Sequence, residues 1–296
     1  MQDSARCSAR VDECTYDLQG TSFRLLQKEI CRLTGIDLRL YKENQVKRLL
    51  ESARRRYNAE SFGQLLERLD DDPGLLHRFK GRLSINVSEF FRDAPRFEYL
   101  RSEVLPELLR DNARPRVWSA GCSVGCEPYS LAMLLAEEGV LEQATVIGSD
   151  IDEEAVKRAY RALYWESEVR SVAPELRGKY LIHERRPPED DMPEPLRRRS
   201  DGSLEGLYRV REDIKRAVTF RVEDLFNCSY DRNFDLIVCR NVTIYFTEDA
   251  KRELHREICS SLRPGGFLFV GGTEIIFQAE ELGLDNPAPF FYRRRA

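Results

Sequence analysis

From residue 115 onward, short apolar runs alternate with amphipathic stretches of helical length, and this rhythm constrains the fold more than any other feature. "RVWSA" (116–120) precedes "PYSLAMLLAEEG" (128–139), "ATVIGSDI" (144–151) precedes "EEAVKRAYRALY" (153–164), and "FDLIVCRN" (234–241) precedes "TEDAKRELHREICSSL" (247–262). An "RPGG" turn (263–266) then leads into "FLFVGG" (267–272), and "FFYRR" (290–294) reads as a last strand. Parallel strands need a crossover of a dozen or more residues, usually a helix, so the alternation predicts an α/β fold with a parallel sheet covered on both faces.

Upstream the period is helical. In "TSFRLLQKEICRLTG", Phe23, Leu25, Leu26, Ile30 and Leu33 fall near helical spacing, with Thr21 or Ser22 as cap and Gly35 as stop. Three further short helices follow, making a helical domain over 20–83 behind a tail, 1–19, expected to be disordered. Residues 84–114 form a linker helix with a motif discussed below, and 115–296 form the α/β domain. Within it, 176–218 break the rhythm: strand-like "KYLIHE" and "LYRVREDI" flank a Pro- and charge-rich loop at 184–203 that cannot pack a core. An inserted antiparallel β-subdomain is expected there.

Composition excludes several classes. The net charge of −4 divides into +2 for residues 1–90 and −6 for the rest, so nothing global points to nucleic acid. There is no run of eighteen apolar residues and no apolar core in "MQDSARCSARVDEC", which argues against membrane insertion and a secretory signal. The eight cysteines are scattered without a CxxC pair, and none of the three histidines (His77, His183, His255) lies beside Cys122 and Cys126. Reduced thiols in a cytoplasmic protein, with no metal site, are the expectation.

The loop "AGCSVGCEPYS" (120–130) is neither GxGxxG nor a P-loop. A helix N-terminus attracts anions, yet Glu127 occupies that position and would repel a pyrophosphate. A cationic ligand with a ribose and no phosphate fits better, and S-adenosylmethionine is such a molecule. Glu127 would pair with its ammonium. Asp150, in "GSDID" at the tip of the next strand, would accept from the ribose hydroxyls. In "RVEDLF", Asp224 would accept from the adenine amino group with Leu225 against the ring. Each has a plainer alternative: a helix N-terminal acid for Glu127, helix caps for Asp150 and Asp152, a loop acid for Asp224.

"SINVSEFFRD", "WSAGCSVGCEPYSLAM", "SDIDEEAVKRAYRALY", "FDLIVCRNVTIYF" and "LRPGGFLFVGGTE" occur in this order. Together they resemble the chemotaxis receptor methyltransferases of the CheR type, from about residue 20 to the C-terminus. The resemblance implies a class I (Rossmann-like) methyltransferase sheet with an N-terminal all-helical domain and a small antiparallel β-subdomain insert. It also implies methyl transfer from S-adenosylmethionine to glutamate carboxylates of chemoreceptors, with S-adenosylhomocysteine as product. It places Asn86, Ser88 and Arg92 on cofactor-binding positions, Arg92 being suited to the cofactor's carboxylate or the substrate glutamate. Glu127, Asp150, Asp224, Leu225, Asn241 and Val242 fall on further cofactor contacts, and Tyr245 on the active-site wall. Arg92 and Tyr245 are the candidate catalytic residues, a surface ion pair and core packing being their plainer readings. The implied partners are the cytoplasmic helical domain of a receptor and a receptor C-terminal peptide at the β-subdomain; a monomer is expected.

Three departures stand out. Ser88 replaces the usual Thr, Cys126 stands where the family has a first acid, and "GGTE" (271–274) replaces Gly-His-Ser-Glu. Lys47, Arg48, Arg54 and Arg55 of "KRLLESARRR" are a candidate basic docking face or a solvated helix surface. A glutamate carboxylate has a pKa of about 4.3 and is ionised at neutral pH, so the chemistry needs no general base. A cofactor-binding scaffold without turnover, or a class I methyltransferase with another acceptor, remain the competing readings.

Overall fold

The computed structural model describes residues 16–83, 88–185 and 205–295. Asn86, residues 1–15 of the expected tail and most of the charged loop lie outside them. The chain divides into two compact units, 1–83 and 84–296.

The first unit holds α1 (Gly20–Thr34), α2 (Glu43–Arg56), α3 (Phe62–Asp71) and α4 (Pro73–Leu83). Each buries one stripe: Phe23, Leu26 and Ile30 on α1, Val46, Leu50 and Ala53 on α2, Leu65, Leu66 and Leu69 on α3. These are the i, i+3, i+4, i+7 positions of a helix packed on one side. Leu25, read as part of the α1 stripe, is instead exposed. The basic stretch on α2 is largely spoken for. Lys47 pairs with Glu43 (2.5 Å), Arg54 and Arg55 both pair with Glu51 (2.8 and 2.9 Å), and Arg54 also donates to the carbonyls of Ala59 and Glu60.

The second unit opens with α5 (Ala94–Tyr99), which passes through a π-helical turn (Leu100–Val104) into α6 (Leu105–Asp111). Then come β1 (Arg116–Ala120), α7 (Cys126–Glu137), β2 (Thr145–Asp150), α8 (Glu153–Arg161), β3 (Leu163–Trp165), α9 (Glu166–Val169), α10 (Pro174–Tyr180) and β4 (Leu181–Glu184). After the undescribed stretch follow β5 (Leu207–Val210), α11 (Glu212–Arg216), β6 (Val218–Val222), β7 (Phe234–Cys239), α12 (Glu248–Ser261), β8 (Leu262–Val270), β9 (Leu284–Ala288) and β10 (Phe291–Arg294).

Seven strands form one sheet in the order β6-β2-β1-β7-β8-β10-β9. The first five are parallel; β10 runs antiparallel to β8, and β9 antiparallel to β10. The sheet is therefore mixed, five parallel strands extended at the β8 edge by an antiparallel pair. Consecutive residues of β1, β2 and β7 are buried whichever face they point to, so both faces are covered. Helix α7 buries nine of its twelve residues, as an element enclosed on all sides does.

Four local expectations need correction. The helix read through Tyr164 stops at Arg161, where Ala162 turns left-handed, and Leu163–Trp165 becomes β3. That strand joins β5 and β4 in a three-stranded antiparallel sheet, which therefore begins before the expected boundary at 176. "LYRVREDI" is β5 followed by α11 rather than one strand. "RPGG" is not a turn before a strand: it lies inside β8, which slips register against β7 between Phe234 and Leu236. β9 was not legible because Asp285, Asn286 and Pro287 carry no strand signal.

At the N-terminal ends of the strands, Asp235 is fully buried. It accepts from Arg263 Nε (2.5 Å), the Arg116 N–H (2.7 Å) and Asn112 Nδ2 (3.1 Å), tying α6, β1, β7 and β8 together. Removing one partner of a buried pair strands the other charge, at about 3–5 kcal/mol. Asp235→Ala is therefore expected to lower unfolding stability by that order, read as a reduced urea midpoint with unchanged slope.

Candidate functional site

From β1 the chain moves to β2 and β6 on one side, then returns to β7 and β8 on the other. Ligands of open α/β sheets bind at such a reversal, in the crevice outside the carboxyl ends of the strands. The loops leaving β1, β2, β7 and β8 meet there.

The loop after β1 is closed by backbone. Gly121 (φ 78°) and Gly125 (φ 88°) take left-handed conformations. A Cβ on Gly121 would lie 2.3 Å from Val242 Cγ2, and one on Gly125 2.7 Å from the Ala159 Cβ. Both positions therefore need glycine for dihedral and for space. The Gly121 and Cys122 N–H groups donate to the Ser149 carbonyl (2.8 and 2.9 Å). Asp150, at the tip of β2, accepts from the Ser123 N–H (2.7 Å) and the Asp152 N–H (2.9 Å). Burial pushes the Asp150 carboxyl above the ordinary value, and those backbone donors only partly offset it. Asp152 is the cap of α8, accepting from the Glu154 and Ala155 N–H groups, as the sequence reading of a helix cap expects.

Glu127 sits in the first turn of α7, and burial raises its pKa even though Arg240 and Ser119 favour the ionised form. Ser119 Oγ donates to it at 2.8 Å and Arg240 Nη1 at 3.3 Å. Arg240, just past β7, has a side chain only 2% exposed. Its Nη2 donates to Asp93, its guanidinium lies 4.6 Å over Phe269 and 5.5 Å over Phe97, and its Nε is buried without a partner. The acid that the sequence placed alone at the helix start is thus half of an ion pair with a buried arginine.

The "SEFFRD" segment is fastened to the same unit. The Phe90 N–H donates to the Glu168 carbonyl (2.9 Å) and the Phe91 N–H to Ser130 Oγ (3.0 Å), while the buried Phe90 ring packs edge-on against Tyr164 at 4.8 Å. Ser88 is half-buried at the start of this described stretch. Arg92 follows the anchored phenylalanines and acts electrostatically on half-buried Tyr245. Burial pushes that phenol upward, and the Arg92 charge pulls it partly back.

Asn241 (φ 60°) and Val242 lie in the loop after β7, with Tyr245 in its single 3₁₀ turn. Glu274 holds this loop. Its buried carboxylate accepts from the N–H groups of Asn241 (2.5 Å), Val242 (3.0 Å), Thr243 (2.7 Å) and Gly271 (2.9 Å), and from Thr243 Oγ1 (2.8 Å). Asp224 accepts within its own loop, from the Phe226 N–H (3.0 Å) and Asn227 Nδ2 (2.6 Å), beside buried Leu225. That shapes the turn after β6 whether or not Asp224 also meets a ligand.

Sequence reasoning missed Asp93, Ser119, Arg240 and the anchoring role of Glu274. Arg240 and Glu274 lie inside quoted motifs, yet only their burial and partners reveal them. One signal does mark the region. Of nine non-glycine residues at positive φ among those described, Phe91, Asp93, Ser123, Asn241 and Phe290 lie on segments that line or abut this crevice. Strain of about 1–3 kcal/mol per residue persists where surroundings over-determine it, often at functional sites.

The donor set suits one class of ligand. Two carboxylates, buried Asp150 and half-buried Glu127, flank a small-residue loop, an arrangement that disfavours polyphosphate and accepts an ammonium and hydroxyls. Known proteins agree. Residues 86–284 match the family model for the CheR methyltransferase SAM-binding domain, and 21–84 that for the CheR methyltransferase all-alpha domain. The chemotaxis protein methyltransferase of Listeria monocytogenes is 35% identical over 259 residues, covering 87% of this chain and 91% of that one. The Escherichia coli chemotaxis protein methyltransferase is 33% identical over 270 residues (87% and 85%), and chemotaxis protein methyltransferase 1 of Pseudomonas aeruginosa 32% over 266 (86% and 89%).

Glu274→Gln puts an amide donor where backbone donors now converge. It is expected to cost about 1–3 kcal/mol and to raise hydrogen exchange selectively at Asn241, Val242, Thr243 and Gly271. Unchanged protection at those four amides would remove the anchoring role.

Proposed function

The chain belongs to the CheR methyltransferase family, and on that premise we propose that it methylates glutamate side chains of chemoreceptors from S-adenosylmethionine, leaving methyl esters and S-adenosylhomocysteine. The observation that carries this reading is the pair of carboxylates at the loop after β1: Asp150, buried at the tip of β2, and Glu127, half-buried and paired with Arg240, with Arg92 in electrostatic reach of Tyr245. Asp150 and the loop it closes take the ribose side, and Glu127, held by Arg240 and Ser119, takes the ammonium. Asn241 and Val242 form the floor between them, and Asp224 with Leu225 the adenine side. Asn86 and Ser88 complete the cofactor positions.

When bound, the cofactor supplies an electrophilic methyl on a sulfonium. The protein's part is placement. Arg92 presents a bidentate fork to a carboxylate, the incoming glutamate's or the cofactor's own. Tyr245, with its phenol kept protonated by burial, orients an acceptor oxygen. The acceptor is already an anion, so no side chain needs to take a proton, in keeping with the lack of histidine in the matched motifs. Alignment of the reacting atoms is the main contribution, equivalent to an effective molarity of roughly 10⁵–10⁸ M.

No described helix is long and apolar enough to cross a membrane. The same reading places the protein in the cytoplasm as a monomer, acting on the helical cytoplasmic part of a receptor. A receptor C-terminal peptide would find its place at the three-stranded sheet.

Incubation with tritiated S-adenosylmethionine and chemoreceptor membranes tests the reaction. Base-labile label on the receptor is expected. Base-stable label would mean another acceptor, and cofactor binding without transfer would mean a scaffold.

The raised carboxyls give a pH signature. An acid whose folded pKa is raised holds its proton longer in the native than in the unfolded state. The apo protein therefore loses stability as pH climbs from the ordinary 4.5 of Glu127 through its folded value, and is level above it. A cation binds the ionised form, so cofactor affinity runs the other way, falling on acidification before 4.5 is reached. Calorimetric affinity for S-adenosylhomocysteine that stays constant down to 4.5 would contradict the Glu127 assignment.

A further inference from the structure

Gly272 lies two residues beyond β8, next to Gly271, whose N–H is held by Glu274. A Cβ on Gly272 would lie 2.5 Å from Nη1 and 2.7 Å from Nη2 of Arg96. The Arg96 guanidinium therefore occupies the space a side chain at 272 would take. A Cβ on Gly271 would lie 3.0 Å from the Asn241 nitrogen, so the residue next to the one Arg96 covers packs against the loop that carries Asn241 and Val242.

Three contacts set this guanidinium. It stacks 3.8 Å over the Phe290 ring, donates from Nη1 to Asp93 Oδ2 at 3.1 Å, and rests on Gly272. Phe290 is itself held in a left-handed conformation (φ 71°), its carbonyl accepting from the Val270 N–H at 2.9 Å. The Asp93 oxygen that receives Arg96 also receives Arg240. Asp93 thus divides two cations: Arg240, buried and facing Glu127, and Arg96, whose side chain is 26% exposed. A guanidinium has five N–H donors. Asp93 engages Nη1, and no Arg96 nitrogen is among the buried atoms without a partner, so the remaining donors open to solvent. A planar fork already stacked and aimed loses little freedom when a carboxylate arrives.

The geometry points to Arg96 as a specificity-determining residue on the acceptor side: its open fork binds an acidic side chain of the receptor segment that presents the reacting glutamate, and Gly272 makes room for it. This rests on the proposed function. It adds a second cation, separate from Arg92, which reads the acidic character of the acceptor segment rather than the cofactor.

The test uses the full chain and receptor-containing membranes, with four readouts: KM for receptor, kcat, calorimetric affinity for S-adenosylhomocysteine, and Tm. Arg96→Gln removes the charge. Gly272→Ala displaces the guanidinium without deleting it, and only the mobile end of Arg96 has to move. Both are expected to raise the receptor KM about tenfold or more, the scale of a lost charge-assisted hydrogen bond, while kcat, cofactor affinity and Tm change little. Arg96→Lys, with charge but no fork, should fall between. An unchanged KM in either variant overturns the assignment. So does cofactor affinity falling in step with activity, which would place Arg96 behind Asp93 and Arg240 as mere support for Glu127. The wild-type protein run alongside separates the two levels. If it puts no base-labile methyl on receptors, the functional reading falls and this one with it; if it does, and the variants match it, only the Arg96 assignment falls.

Discussion

A guanidinium 2% exposed to solvent holds the site together. Arg240 comes from the end of β7, Glu127 from the start of α7 and Asp93 from the segment ahead of α5, so one buried cation joins three parts of the chain. An isolated buried charge costs several kcal/mol, and attraction to a single partner seldom repays it. Two carboxylates and two aromatic faces together offset the charge of Arg240, although its Nε stays without a partner. The consequence for function is positional. If Glu127 swung away, the arginine would be left with Asp93 as its single carboxylate partner.

Around that centre, short loops are held by backbone hydrogen bonds rather than by bulk. The β1 loop hangs on the Ser149 carbonyl and the Asp150 carboxylate, the β7 loop on Glu274, and the segment bearing Arg92 on Ser130 and the Glu168 carbonyl. Loop meets loop where Val242 fills the space over Gly121. Methyl transfer between an activated donor and an ionised acceptor asks a protein for alignment above all, and loops pinned at several points supply it. The left-handed residues along these loops are the local cost of that pinning.

Much of the architecture was legible because parallel strands buried on both faces must be apolar throughout and must be separated by helices. "RVWSA", "TVIGSD" and "FDLIVC" could be little else, and all three became central strands. Weaker signals failed where tertiary contacts overrode local preference. "LYW" extends a helical pattern in sequence but pairs with β5 in space, and "RPGG" reads as a turn but is absorbed as an irregularity in β8. In the helical unit Lys47, Arg54 and Arg55 of α2 pair with Glu43 and Glu51 on the same helix, local contacts that leave Arg55 exposed.

By itself the sequence determined the α/β class, the order of the central strands and helices, and the positions of the acids at the start of α7 and the tip of β2, since periodicity, small residues and single acids are local properties. What charge surrounds those acids was decided only by the tertiary structure. Arg240 lies 113 residues from Glu127 and 147 from Asp93. Gly272, just beyond β8, and Arg96, in the first turn of α5, are likewise far apart in sequence and meet only in the folded chain. Ion pairs across such separations depend on where the chain returns, and no pattern within a window of residues encodes that.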